Sequence, residues 1–149
     1  ERNIITSLDL DSAKQEQHVI KLRNKYLEME KNEVRYEAVS IDDADYLIVA
    51  FGSVARISKK AIDIARADGI KVGLIRPITL FPFPKTIIDT LANKVKGILV
   101  VEMNLGQMIE DVKLAVNGKV KVEHFGRYGG IIPTPNEVVN ALKQKIIGG

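Results

Sequence analysis

The sequence predicts an α/β domain built on a mainly parallel sheet, and three observations predict it. From Asp45 onward one unit recurs: a short β-branched run, a turn, an amphipathic stretch, then a Gly before the next run. The runs near the middle are apolar at consecutive rather than alternate positions, so both faces of those strands must be covered. The amphipathic stretches close on Gly69, Gly97 and Asn117-Gly118, residues suited to end helices.

The elements follow in order. Asp11 or Ser12 can cap a charged helix whose apolar stripe is Val19, Leu22, Tyr26 and Met29, narrow enough for a surface or linking helix. Val34, Tyr36 and Ala38 alternate with Arg35 and Glu37, as in a half-exposed edge strand. Buried strands are expected at 46–51, 71–75, 98–101 and 120–123. Between them Ala55, Ile57, Ala61, Ile62, Ile64 and Ala65 mark one helix face, with Ser53 as its cap and Gly69 as its end. Ile87, Ile88, Leu91, Ala92 and Val95 mark a second face, and Met108, Val112, Ala115 and Val116 a third. Thr134-Pro135-Asn136-Glu137 combines a capping hydroxyl, Pro at the first helical position and Glu at the third, so the last helix starts there and runs to about Ile146.

Composition narrows the function. The chain has 149 residues, 46% of them hydrophobic, enough for one core but not for two domains enclosing a cleft. Its 22 basic and 19 acidic side chains leave a formal charge of +3, without the field of a dedicated nucleic-acid binder. Cysteine is absent, so the chain alone cannot build a disulfide or a thiolate-ligated zinc or iron–sulfur site. There is no membrane-length apolar run and no signal-peptide pattern, so no membrane partner and a cytoplasmic location are expected. The chain starts at Glu1 in mid-pattern, which suggests a piece of something longer.

In open α/β sheets, ligands and partners meet the carboxyl ends of the strands. Gly52-Ser53 could hold an anion at a helix start, but has too few glycines for a phosphate fingerprint. The segment 76–84 carries three prolines and two phenylalanines, a stiff apolar loop in which Arg76 could clamp an anion or an acid across an interface, and Phe81 and Phe83 could pack or bind. Glu102, Asn104 and Gln107 bring a carboxylate and two amides to the next strand end, with hydrogen bonding to a neighbouring loop favoured over a general base. His124 to Pro133 is glycine-rich, contains Arg127, and lacks the order of a P-loop. His18 and His124 lie far apart in sequence, which argues against a shared metal and for a solvated His18.

Taken together, these segments resemble the C-terminal domain of 2-oxoacid:ferredoxin oxidoreductase α subunits, most closely the 2-ketoisovalerate type. The resemblance rests on Asn32-Glu33-Val34-Arg35-Tyr36-Glu37, on the strand Tyr46-Leu47-Ile48-Val49-Ala50-Phe51-Gly52, and on Arg76-Pro77 through Pro84. It continues in Glu102-Met103-Asn104 with Gly106-Gln107-Met108, and in Gly126-Arg127, Gly129-Gly130, Pro133-Thr134-Pro135 and Glu137-Val138. Where the family often has Thr-Ser after the first Gly, this chain has Ser53-Val54.

The resemblance implies a transketolase C-terminal-like fold, a three-layer α/β/α domain with a five-stranded, mostly parallel sheet and one antiparallel strand, which the 34–40 segment would supply. Residues 1–31 would be an interdomain linker helix and 32–149 the domain. The complete enzyme would oxidatively decarboxylate 2-oxoacids to acyl-CoA, using thiamine diphosphate, iron–sulfur clusters, coenzyme A and ferredoxin. This fragment, without the N-terminal pyrimidine-binding domain and the other subunits, would hold no cofactor, metal or catalytic residue and would be inactive alone. Its task would be assembly, with Arg76, Phe81, Phe83, Asn104, Gln107 and Arg127 at subunit or domain contacts. The alternative is a free-standing α/β module that binds a small anion or nucleotide at Gly52-Ser53 and Gly126 to Gly130.

Overall fold

The structure, a computed structural model, describes residues 8–148; residues 1–7 of the expected linker, and with them the expectation attached to Glu1, lie outside that range. Five strands are found, β1 (Tyr36–Val39), β2 (Tyr46–Ala50), β3 (Val72–Pro77), β4 (Gly97–Glu102) and β5 (Val122–Gly126). They pair in the order β1-β3-β2-β4-β5. Only β1 is antiparallel, against β3. The helices are α1 (Ser12–Asn32), α2 (Gly52–Ala67), α3 (Lys85–Ala92), α4 (Met108–Val116) and α5 (Pro135–Leu142), the last extended by a π-helical turn at Lys143–Ile147. This is the predicted three-layer architecture with one antiparallel edge strand. No described helix is long and apolar enough to cross a membrane.

The consecutive apolar residues of the central strands are sorted between the two faces by the pleat. Ile48, Ala50, Val72, Leu74, Leu99 and Val101 pack with α2 and α5 on one side. Leu47, Val49, Ile75, Ile98 and Val100 pack with α3 and α4 on the other. β1 and β5, at the edges, are at most half-buried. α1 contributes no buried residue at all, consistent with its narrow stripe.

Several local signals operate as the sequence predicts. Asp11 caps α1, accepting from Ala13 and Lys14 N–H. Gly69, at φ +80°, closes α2 in a Schellman motif: its N–H donates to Arg66 O (3.0 Å) and Ile70 N–H to Ala65 O (2.9 Å). Left-handed Asn117 (φ 50°) ends α4. Thr134 and Glu137 form the reciprocal capping box of α5.

Three boundaries differ. β3, expected at 71–75, runs Val72–Pro77, so Arg76 and Pro77, expected in the loop, are strand residues paired with Glu37 and Tyr36 of β1. β5 was expected at 120–123 and lies at Val122–Gly126, because Asn117 and Gly118 and the bond from Lys119 N–H to Val116 O use up the residues before it. β4 is buried along its whole length, and β5 must pair with it from Ile98↔Val122 to Glu102↔Gly126 to satisfy its backbone. His124, expected after the strand, is therefore inside it. Ser53 was expected to cap α2, but the cap position is Phe51 and no side chain caps it. Gly52, at φ +59°, turns the chain directly into the helix and leaves Ser53 already within the first turn.

The topology positions the site. After β2 the chain passes to β3 by α2 on one face; after β4 it passes to β5 by α4 on the other. The adjacent carboxyl ends of β2 and β4 thus form a topological switch point, with a crevice between the diverging connections.

Gly97 opens β4 directly beneath the π-helical turn, where a Cβ would lie 2.3 Å from Ile146 Cγ2. Ile146 is β-branched and cannot swing clear cheaply. Gly97→Ala should therefore destabilise the domain by about 1–3 kcal/mol, as overpacked cores do, read as a lower urea midpoint at unchanged slope.

Candidate functional site

The carboxyl edge is organised by Glu102, the last residue of β4, which is 1% exposed. Its Oε2 accepts the backbone N–H groups of Gln107 (3.2 Å) and Met108 (2.8 Å), and its Oε1 accepts that of Ile109 (3.1 Å). The carboxylate thereby satisfies the amino end of α4 and meets the positive end of its dipole. Within the turn, Asn104 Oδ1 accepts Gly106 N–H (2.7 Å) and Gln107 N–H (3.1 Å), and Gly106 takes φ +105°. Glu102 was expected to bond a neighbouring loop; it bonds its own loop and the helix that follows. Both carboxylate oxygens are engaged by backbone, so the group is a structural anchor and not a free base.

No histidine lies near Glu102 in the sequence, yet the fold brings one there. Parallel pairing of β4 with β5 sets His124 against Val100, and its Nε2 lies 3.8 Å from Glu102 Oε1, beyond hydrogen-bond reach. Nε2 is buried without a hydrogen-bond partner among the described residues. Gly126 makes room for the ring: a Cβ there would lie 2.6 Å from His124 Cε1 and 2.6 Å from Asn104 O, whereas one on Gly106 would stand at ordinary contact, 3.7 Å, from the ring. Burial holds the imidazole below its ordinary pKa of 6.5, against the opposing pull of Glu102.

Around this anchor the other expected residues divide. Thr79 pins the proline-rich loop, donating to Pro82 O (2.9 Å) and accepting Arg35 N–H (3.0 Å). Phe83 is a core residue, 6% exposed, so of the two rings the loop presents only Phe81, 59% exposed and edge-on to Tyr26 with centroids 5.7 Å apart. Arg76 pairs with Glu37 (3.1 Å) and Arg127 with Glu137 (3.4 Å), each half-exposed. Glu137, which also closes the α5 cap, is the ion-pair partner through which Arg127 ties its glycine-rich loop to that helix. Gln107 is exposed and Asn104 intermediate, while His18 is exposed on α1 as expected.

Exposed apolar side chains gather on the three later post-strand loops, among them Leu80, Phe81, Leu105, Tyr128 and Ile132. The switch-point crevice opens beside them, between Phe51-Gly52-Ser53 and Glu102-Met103-Asn104. The most voluminous described cleft, about 360 Å³, is the seam where the end of α1 meets the start of α3, lined by Glu30, Tyr36, Phe83 and Lys85. Among the described residues no cluster of His, Asp and Glu could hold a metal.

Residues 44–138 match the family described as pyruvate:ferredoxin oxidoreductase core domain II. Ketoisovalerate oxidoreductase subunit VorB of Methanothermobacter marburgensis is 44% identical over 143 residues, 96% of this chain and 40% of that protein. 2-Oxoglutarate synthase subunit KorA of the same organism is 39% identical over 101 residues, covering 68% of this chain and 27% of that protein. Among solved structures, the 2-oxoglutarate:ferredoxin oxidoreductase of Magnetococcus marinus, with 2-oxoglutarate, coenzyme A and succinyl-CoA bound, superposes with a TM-score of 0.77. That match covers 96% of this chain and 26% of the other, at 23% identity, and speaks for the fold. The chain thus spans about two fifths of the length of the VorB relative.

Glu102→Gln keeps one acceptor oxygen but removes the charge and turns an NH2 donor toward at least one of the three backbone N–H groups, and should cost about 2–3 kcal/mol, seen as a melting temperature lower by roughly 5–10 °C. The imidazole predicts a separate pH effect. Because its folded pKa is depressed, the unfolded chain takes up the proton first, so stability is full above about pH 6.5 and falls as pH drops below it. His124→Gln should flatten the slope below about pH 6.5, measured by urea titration at a series of pH values. Glu37, Asp43 and Glu137, held below their ordinary values by hydrogen bonds, act only at lower pH.

Proposed function

The chain belongs to the pyruvate:ferredoxin oxidoreductase core domain II family, and from that premise we propose that it is the C-terminal α/β domain of the α subunit of a 2-oxoacid:ferredoxin oxidoreductase, of the 2-ketoisovalerate type. The 44% identity to a ketoisovalerate oxidoreductase subunit across 96% of the chain carries the substrate type. The matching relative is lettered B, so the α designation rests on the domain's place in the resemblance, not on the letter. In this reading the enzyme is cytoplasmic and oxidatively decarboxylates a branched 2-oxoacid to its acyl-CoA.

In the complete enzyme, thiamine diphosphate would supply the decarboxylation chemistry, iron–sulfur clusters the electron path to ferredoxin, and coenzyme A the acyl acceptor. The donor set of this chain does not fit the metal-bearing groups. It has no cysteine, and among the described residues no group of three or more His, Asp and Glu side chains that could hold a metal. Its role in this reading is assembly: the 32–149 domain offers the apolar loops of its carboxyl edge to the pyrimidine-binding domain and the other subunits. α1, with no buried residue, is read as the interdomain linker.

The single observation that carries the assembly reading is the gathering of exposed apolar side chains on loops that are themselves pinned by Glu102, Thr79 and Arg127. Phe81, Asn104, Gln107, Arg76 and Arg127 are the contacts we assign to it; Phe83, expected beside them, belongs to the core. Phe81→Asp alters an exposed ring and should leave the melting temperature within a degree or two, while capture of the remaining oxidoreductase subunits falls about tenfold. Equal capture by the variant would sink the reading.

A further inference from the structure

The sequence directed attention to the Ser53 hydroxyl and the Gly126 to Gly130 loop as anion cradles, and the structure concentrates positive charge elsewhere. Arg56 and Lys59, three residues apart on one face of α2, converge with Arg76 of β3 on a cleft of about 130 Å³ bordered by Gly52. The juxtaposition is produced by strand register. Antiparallel pairing sets Glu37 of β1 opposite Arg76, and the Glu37 carboxylate then bridges Arg76 (3.1 Å) and Lys59 (2.5 Å).

The bridge orients two cations without cancelling the site. Three cations and one carboxylate leave a balance of 3 − 1 = +2. Arg76 and Lys59 each use a single donor on Glu37, and Arg56 makes no ion pair among the described residues. The neighbouring first turn of α2 carries no acidic residue, and Gly52 has nothing within 4 Å of where a Cβ would stand, so approach is open. Two forked guanidiniums and an ammonium around a small concavity suit a tetrahedral dianion. A single carboxylate would leave one positive charge unmatched, and the cleft is too small for a polymer.

We propose that this cleft binds a small phosphate-bearing molecule, with Arg56 and Arg76 forking the phosphate oxygens and Lys59 balancing the second charge. The inference shares Arg76 with the assembly reading but does not depend on it, since Arg56 and Lys59 have no part in that reading. A chain that never meets the other subunits could still bind phosphate here, and an assembly domain need not.

The test is an amide NMR titration of the full chain with inorganic phosphate and with diphosphate, each against sodium chloride and acetate at matched ionic strength. Saturable shifts of the Gly52, Ser53 and Arg56 amides with the phosphates, absent with chloride and acetate, are expected. Tighter binding of diphosphate would identify a diphosphate-bearing ligand, and equal binding a single phosphate. Arg56→Gln, an exposed change that leaves the remaining resonances in place, should weaken the affinity at least about tenfold. Shifts that do not saturate, that chloride reproduces, or that persist in Arg56→Gln would overturn the proposal and leave an adventitious ion only.

Discussion

The edge on which this domain's function is proposed to rest is held by one buried carboxylate. Glu102 stands at the end of a fully buried strand and receives three backbone N–H groups from the start of α4. Each is a hydrogen bond to a charged group, stronger than its neutral counterpart and costly to lose where water cannot replace it. The consequence is geometric. The 103–107 turn is closed upon itself, α4 is aimed back along its face of the sheet, and the imidazole of His124 is packed against Gly126 beside the same carboxylate. A loop proposed to present Leu105 and Gln107 to another surface is thereby set in advance, which would reduce the ordering cost of docking.

The proline-rich loop solves the same problem differently. Its backbone has few donors to offer, so Thr79 and Arg35 fasten it to the start of β1, while Phe83 reaches into the core as a plug. One phenylalanine secures the loop and the other is exposed. The final loop is fastened by a charge, Arg127 to the glutamate that also caps α5. Three different devices deliver three apolar loop tips to one edge.

Much of this was legible because it is local. The capping box at Thr134, the Schellman end at Gly69 and the left-handed Asn117 are complete within a few residues, and consecutive apolar runs mark two-faced burial wherever they occur. The site was legible as a set of loops but not as a set of contacts. Glu102 and His124 meet only because β4 and β5 pair in parallel, and Glu37 and Arg76 only because β1 pairs against β3. Register between distant strands leaves no trace in either segment alone. The displaced start of β5 has the same origin, since His124 and Gly126 are poor strand residues in isolation and are drawn into the ladder by the needs of a buried neighbour. Phe81 and Phe83 differ in burial for a similar reason: sequence shows two rings on a stiff loop, and only packing decides which one is the plug.

The antiparallel direction of β1 has one more effect. Because that strand begins beside the carboxyl end of β3, with Tyr36 opposite Pro77, the chain enters the domain at the edge where the post-strand loops lie. α1 leads into this entrance, 21 residues long and so about 30 Å from end to end. A segment joined to its amino end would be held by a stiff spacer of that length and kept near the domain, not free to diffuse away. Association with a tethered neighbour then becomes an intramolecular event, and loops with modest intrinsic affinity suffice to hold it.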